Sequence, residues 1–214
     1  MDHWIHWGDP LGDPLRIRCR IGDSLHHRYK VLFFLIGFLG LTSCKKPLPV
    51  LFQAPSFVLT DQGGAKVSLE NLKGKVWVAD FIFTRCAGVC PLLTQKMADL
   101  EKSLSQEPDL RFISFTVDPE TDTPQKLSAY AHLFHADSRR WFFLTGPVNA
   151  VEEAIVKGFK ISMEKASDFQ VIHGEKFILV DREGRIRGYF DTDPTGLQWI
   201  HQGIISLLKE KGGN

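Results

Sequence analysis

Hydrophobic positions change their period several times along this chain, and each change marks an element. Behind the basic stretch 26–30, residues 31–41 form an uncharged apolar run. A helix needs ~20 apolar residues to cross a bilayer, so this shorter run fits the core of an export signal. Residues 76–83 form a near-continuous apolar run rich in branched and aromatic side chains, the pattern of a central strand covered on both faces. Asp80 interrupts that run, and a carboxylate there needs either a structural partner or a place near a functional site. Residues 111–117 read as a second core strand and 141–145 as a shorter one. Around these strands the period becomes helical: Pro91 opens a helix with Leu92, Leu93, Met97, Leu100 and Leu104 on one face ahead of 111–117, 124–134 lies between the two strands, and 148–159 follows the second. Residues 57–60 and 66–69 flank an Asp-Gln-Gly-Gly turn, and 177–180 and 185–190 flank Asp-Arg-Glu-Gly, so both pairs read as hairpins. An amphipathic helix over 196–210 closes the chain.

Alternating strands and helices, followed by a hairpin and a last helix, predict an α/β fold with a mixed central sheet flanked by helices, the thioredoxin-like architecture. The expected organisation is a targeting segment over 1–44, an extended proline-containing linker over 45–55, and one domain over 56–214. A length of 214 residues with 43% apolar and 24% charged side chains is enough for a single sizeable core. The formal charge of +1 and the lack of any Lys/Arg block give no reason to expect nucleic acid as a partner.

The apolar run ends in Leu41-Thr42-Ser43-Cys44, which resembles a bacterial lipobox. Cys44 would then be lipidated and become the mature N-terminus, tethering an extracytoplasmic domain to the membrane on the periplasmic side; a short uncleaved anchor is the alternative. Residues 1–25 carry a small repeat, Gly-Asp-Pro-Leu-Gly-Asp-Pro-Leu, and exceed an ordinary signal n-region. The expected start therefore lies downstream, and Cys19 falls in a segment absent from the mature protein.

Cys86 and Cys90 stand where the main strand hands over to its helix. Two thiols four residues apart on such a turn can converge, and the helix N-terminus places partial positive charge beside them, which favours the thiolate. Spacing alone leaves a structural disulfide, a redox-active disulfide, a metal pair and two unrelated cysteines all open.

The segment Phe81-Ile82-Phe83-Thr84-Arg85-Cys86-Ala87-Gly88-Val89-Cys90-Pro91 resembles the copper-binding segment of the Sco/SenC family. In the same order as in that family follow Val117-Asp118-Pro119-Glu120-Thr121-Asp122-Thr123-Pro124, Trp141-Phe142-Phe143-Leu144-Thr145-Gly146, and His173 shortly before a strand ending in Val180-Asp181. The resemblance implies that Cys86, Cys90 and His173 bind copper. Soft thiolates favour Cu(I) and an imidazole suits Cu(II) as well, so the donor chemistry agrees. It also implies a metallochaperone for the CuA-bearing subunit of cytochrome c oxidase, or another copper or thiol client, acting by copper delivery or by thiol reduction. Three departures from the family pattern, Ala87, Ile172 and Gly174, alter the surroundings of the ligands and with them copper affinity or potential.

Asp118 and Asp122 follow the second core strand, where α/β sheets place their sites, and could orient the copper loop or a partner, or merely form a turn. His132 and His135 lack a third ligand nearby and read as a solvated helix face. The chief alternative function is an extracytoplasmic thiol–disulfide reductase using Cys86 and Cys90. The spacing is C-x-x-x-C rather than C-x-x-C, and no proline occurs between Pro147 and Pro194 to face the pair. A peroxidase is the weakest alternative, because Thr84 stands two residues before Cys86 where peroxiredoxins need three.

Overall fold

The computed structural model describes residues 47–161, 164–165, 171–172 and 175–210. Contacts divide the chain into Met1–Cys44 and Lys45–Asn214, and the described residues belong to the second unit. Its strands are β1 Phe52–Gln53, β2 Val58–Thr60, β3 Lys66–Ser68, β4 Val76–Ile82, β5 Leu110–Thr116, β6 Trp141–Leu144, β7 Glu164–Lys165, β8 Val171–Ile172, β9 Lys176–Val180 and β10 Arg185–Asp191. Its α-helices are α1 Val89–Ser103, α2 Pro124–Leu133, α3 Val148–Glu152 and α4 Pro194–Lys209.

Six strands form one sheet in the order β1–β10–β9–β4–β5–β6. The ladders β4–β5 and β5–β6 are parallel, while β4–β9, β9–β10 and β10–β1 are antiparallel. This is the mixed, helix-flanked, thioredoxin-like sheet that the sequence predicts. β4 is buried at every position, as its unbroken apolar run requires. Strand alternation splits its side chains between two cores. Trp77, Ala79 and Phe81 pack with Ile113, Phe115, Ile155 and Phe159 on one face. Val76, Val78 and Ile82 pack with Met97, Leu127, Ile200 and Ile204 from α1, α2 and α4 on the other.

The ordered fold begins earlier than the prolines suggest. Rather than a free linker, the segment ahead of Ser56 adds an edge strand: Leu51 N–H donates to Ile186 O at 2.9 Å and Ala54 N–H to Gly184 O at 2.8 Å. The buried Arg187 guanidinium donates to Leu48 O at 2.6 Å and Pro49 O at 3.1 Å, and it pairs with Asp181 and Glu210 at 3.0 Å each. Proline removes an N–H but leaves a carbonyl to be held, so an edge position tolerates it. At the opposite edge Gln62 imitates a strand, its Oε1 accepting from Phe143 N–H at 2.8 Å and its Nε2 donating to Trp141 O at 2.9 Å. That contact covers part of an otherwise exposed edge.

Two helices depart from their expected form. α1 starts at Val89, with Pro91 in its first turn, where a missing N–H costs little. Leu92 is 55% exposed. The buried stripe is Leu93, Met97, Leu100 and Leu104, and Leu92 lies about 100° away from it around the axis. The helix expected over 148–159 changes after α3 into a π-helical turn, Glu153–Gly158. There a Cβ on Gly158 would stand 2.2 Å from Pro55 Cβ, so only glycine fits. Among the described residues no helix is long and apolar enough to cross a membrane.

Candidate metal centre

Parallel pairing decides which loops meet. β4 and β5 run side by side in register, with Val117 N–H donating to Ile82 O at 2.8 Å, so residues 83–88 and 117–123 leave the sheet at the same end. β9 runs antiparallel to β4, with Ile178 opposite Ala79, so β9 begins at that end too. His173 precedes β9 by three residues and lies outside the described residues, as do Gly174 and Cys44. The backbone of Ile172 belongs to β8, which pairs with β7 through Glu164–Ile172 and Lys165–Val171.

Cys86 and Cys90 are both thiols, the first half-buried and the second buried. Cys86 N–H donates to Phe83 O at 3.2 Å, closing a tight turn before the helix. Gly88 caps α1 without a side chain. In its place the Cys86 sulfur accepts the Cys90 N–H at 3.4 Å, so one amide left over at the helix start finds a polarisable acceptor. The two thiols do not share one environment. Burial pushes the Cys90 thiol well above the usual range, and its hydrogen bond with Cys86 pushes in the same direction. The thiolate expected from the helix N-terminus is therefore opposed at Cys90 by desolvation. Metal binding or oxidation there must release a proton.

The acidic residues of the second loop hold the first. Asp122, fully buried, accepts Thr84 N–H at 3.1 Å, Thr84 Oγ1–H at 2.5 Å and Thr116 Oγ1–H at 2.6 Å. Asp118 accepts Arg85 Nη2–H at 2.6 Å and Nε–H at 3.2 Å. Asp118 and Asp122 therefore hold the loop that precedes Cys86, and their own segment is also a turn, with Thr121 N–H and Asp122 N–H donating to Asp118 O at 3.1 and 2.9 Å. Thr84 is engaged with Asp122. His132 and His135 are exposed, the first at the end of α2 and the second beyond it.

Among the described residues Asp80 finds no hydrogen-bond partner. It is 1% exposed, and both carboxylate oxygens are buried without a hydrogen bond. Burial pushes its carboxyl up to about 7, opposed by Ser114, its register partner on β5, and by its own backbone N–H, neither of which reaches it in hydrogen-bond geometry. Ser114 Oγ instead accepts the Trp141 indole N–H at 2.9 Å. Asp80 bears on the cysteine site electrostatically: after burial, its charge is among the influences that push Cys90 and Tyr130 up. Tyr130 and Thr94 share a hydroxyl hydrogen bond of 2.9 Å, and Thr94 Oγ1 donates to Cys90 O at 2.9 Å. Sequence reasoning had no signal for Thr94 or Tyr130, because each looks like an ordinary helix residue until the fold brings it behind Cys90.

Among the described residues no group of three or more His, Cys, Asp or Glu side chains is arranged to hold a metal ion. The two thiols account for two soft donors, and the third donor implied by the sequence resemblance is His173.

The sequence profile of the SCO1/SenC family matches residues 50–207. The chain is 31% identical over 159 residues to a putative copper-binding protein of Stutzerimonas stutzeri, an alignment covering 72% of this chain and 76% of that one. The solved structure of BsSco, a member of the Sco family of cytochrome c oxidase assembly proteins in which a disulfide switch is identified, superposes with a TM-score of 0.70 at 38% identity, covering 78% of this chain and 99% of BsSco. A SCO1/SenC family lipoprotein from Bacillus anthracis superposes with a TM-score of 0.69 at 35% identity, covering 74% of this chain and 96% of the other.

Proposed function

The chain belongs to the SCO1/SenC family, and from that premise we propose that it is a membrane-tethered copper metallochaperone serving the CuA centre of cytochrome c oxidase. The observation that carries this reading is the placement of Cys86 and Cys90 on one strand-to-helix turn, the Cys90 amide directed at the Cys86 sulfur. Two soft thiolates completed by the His173 imidazole hold Cu(I) and tolerate Cu(II), and copper passes through such a set as cargo. The buried Cys90 and half-buried Cys86 give the cargo one sheltered ligand and one that a client can reach. Copper binding, oxidase assembly and a lipid anchor, each stated for one of the relatives above, are extended to this chain by the same reading.

A second reading, thiol–disulfide reductase of the client's own cysteines, is favoured by that same asymmetry of exposure, because disulfide exchange needs an accessible thiol and a nearby resolving one. His173→Ala separates the two. Two thiolates can still hold Cu(I) without the imidazole, but Cu(II) loses its nitrogen donor. The expected result is loss of Cu(II)–thiolate charge-transfer absorbance with insulin-reduction activity retained. An unchanged Cu(II) spectrum together with abolished disulfide reduction replaces the metallochaperone by the reductase.

The tether has its own test. Cys44→Ser is expected to leave an unprocessed precursor that takes up no labelled palmitate. Equal labelling of mutant and wild type removes the lipid anchor from the proposal and leaves the copper reading standing.

A further inference from the structure

We propose that Asp122 is the positioning residue of the thiol loop, fixing the backbone two residues before Cys86 so that the two sulfurs stay within reach of each other. This rests on the reading of Cys86 and Cys90 as the working thiols. Asp122 is fully buried at the start of the segment that leads into α2, and its own N–H is held by Asp118 O at 2.9 Å. Its carboxylate receives three donors: Thr116 Oγ1–H from the last residue of β5, and both the N–H and the Oγ1–H of Thr84. One side chain thereby ties the end of one core strand to the loop that follows its neighbour. From Thr84 to Cys86 the chain is too short to absorb a displacement, so a shift at Thr84 is carried to the sulfur.

The chemistry calls for a carboxylate. All three groups donate to it, and an ionised carboxylate accepts without donating. An asparagine offers one accepting oxygen and an N–H₂ group, which fits only if the Thr84 hydroxyl turns round to accept. An alanine leaves all three donors without their acceptor. The Arg85–Asp118 pair beside it cannot substitute, since its guanidinium is 51% exposed and a surface ion pair contributes little.

The test uses the full chain and an observable that needs no metal. Wild type, Asp122→Ala, Asp122→Asn and Thr84→Val are equilibrated with mixtures of reduced and oxidised glutathione. In that exchange Cys86 and Cys90 lose two electrons and two protons to form a disulfide, and one glutathione disulfide becomes two glutathione thiols. The oxidised fraction is read by alkylation and mass mapping of the peptide carrying both cysteines. Misplacing one thiol lowers the effective concentration of the pair, so the equilibrium constant should fall about tenfold in Asp122→Ala and roughly two- to threefold in Asp122→Asn and Thr84→Val. Circular dichroism and thermal unfolding in the same buffer establish that each variant is folded at the measuring temperature.

A folded Asp122→Ala protein with the wild-type constant, whatever its melting temperature, overturns the proposal, because Asp122 then only stabilises. If Asp122→Ala does not fold, Thr84→Val decides, and an unchanged constant there overturns the proposal equally. Copper titration of the wild type is a separate arm. Failure to bind copper removes the metallochaperone reading and leaves the glutathione result to judge Asp122 alone.

Discussion

Asp80→Asn is expected to stabilise the protein at pH 8 while leaving it nearly unchanged at pH 4. The Asp80 carboxyl is held at about 7 against an ordinary 3.8, with burial the leading cause. Between those values the unfolded chain has lost the proton and the folded one keeps it, so wild-type stability falls as pH rises from about 4 to 7 and is flat above. The displacement corresponds to about 4 kcal/mol at most, a large share of the 5–15 kcal/mol typical of a domain. Removing the charge should therefore move the urea midpoint at pH 8 upward by roughly 1–2 M, at a slope of about 2 kcal/mol/M. The pH dependence over that window should flatten along with it. Equal midpoints for mutant and wild type at pH 8 would show that the ionised carboxylate costs the folded protein nothing, and would sink this prediction. A buried carboxylate without a hydrogen bond among the described residues, acting electrostatically on Cys90, has the perturbed proton affinity that functional sites often show.

Cys86→Ser and Cys90→Ser should each lower Cu(I) affinity by well over the ~10–100-fold that changes outside the ligand set produce, since each exchanges a soft sulfur donor for a hard hydroxyl. Competition with a colorimetric Cu(I) chelator measures the loss. Oxidation should have the same effect as mutation, because a disulfide presents no thiolate. A fully oxidised protein that takes up one equivalent of Cu(I) as tightly as the reduced one would remove both cysteines from the ligand set. Cys90→Ser should also cost some stability, as it places a hydroxyl at a position with no exposure.

Much of the fold is legible in the chain because burial there follows local periodicity. β4, β5 and β6 lie within a residue or so of the apolar runs at 76–83, 111–117 and 141–145, and the hairpins stand where the two glycine-containing turns predict. Boundaries and faces were misread where a local rule met a tertiary one. Leu92 satisfies the helical period loosely but points to solvent, because the sheet covers only the stripe through Leu93 and Met97. The prolines of 45–55 indicate an extended chain, yet pairing of Phe52–Gln53 with β10 and the hold of Arg187 on Leu48 and Pro49, more than a hundred residues later, make its described part an edge of the sheet. The helix over 148–159 reads as uninterrupted because nothing in its own residues reports the contact of Gly158 with Pro55.

The class of the fold, the strand-to-helix turn that carries Cys86 and Cys90, and the acidic residues of the 117–124 motif are legible in the chain, because each depends on residue type and short-range spacing. What those residues do to one another follows from how the elements pack. Parallel pairing of β4 with β5 brings Asp122 to Thr84 and Asp118 to Arg85 across more than thirty residues, which turns a plausible loop former into an anchor of the thiol loop. Packing of α1 against the sheet buries Cys90 but leaves Cys86 half-exposed, so two cysteines that look equivalent in the chain differ in solvation, and burial raises the Cys90 thiol. Asp80 shows the same division most sharply. Its misfit in an apolar strand is visible in the sequence, but whether a partner waits for it depends on side chains contributed by other elements, and among the described residues none forms a hydrogen bond with it.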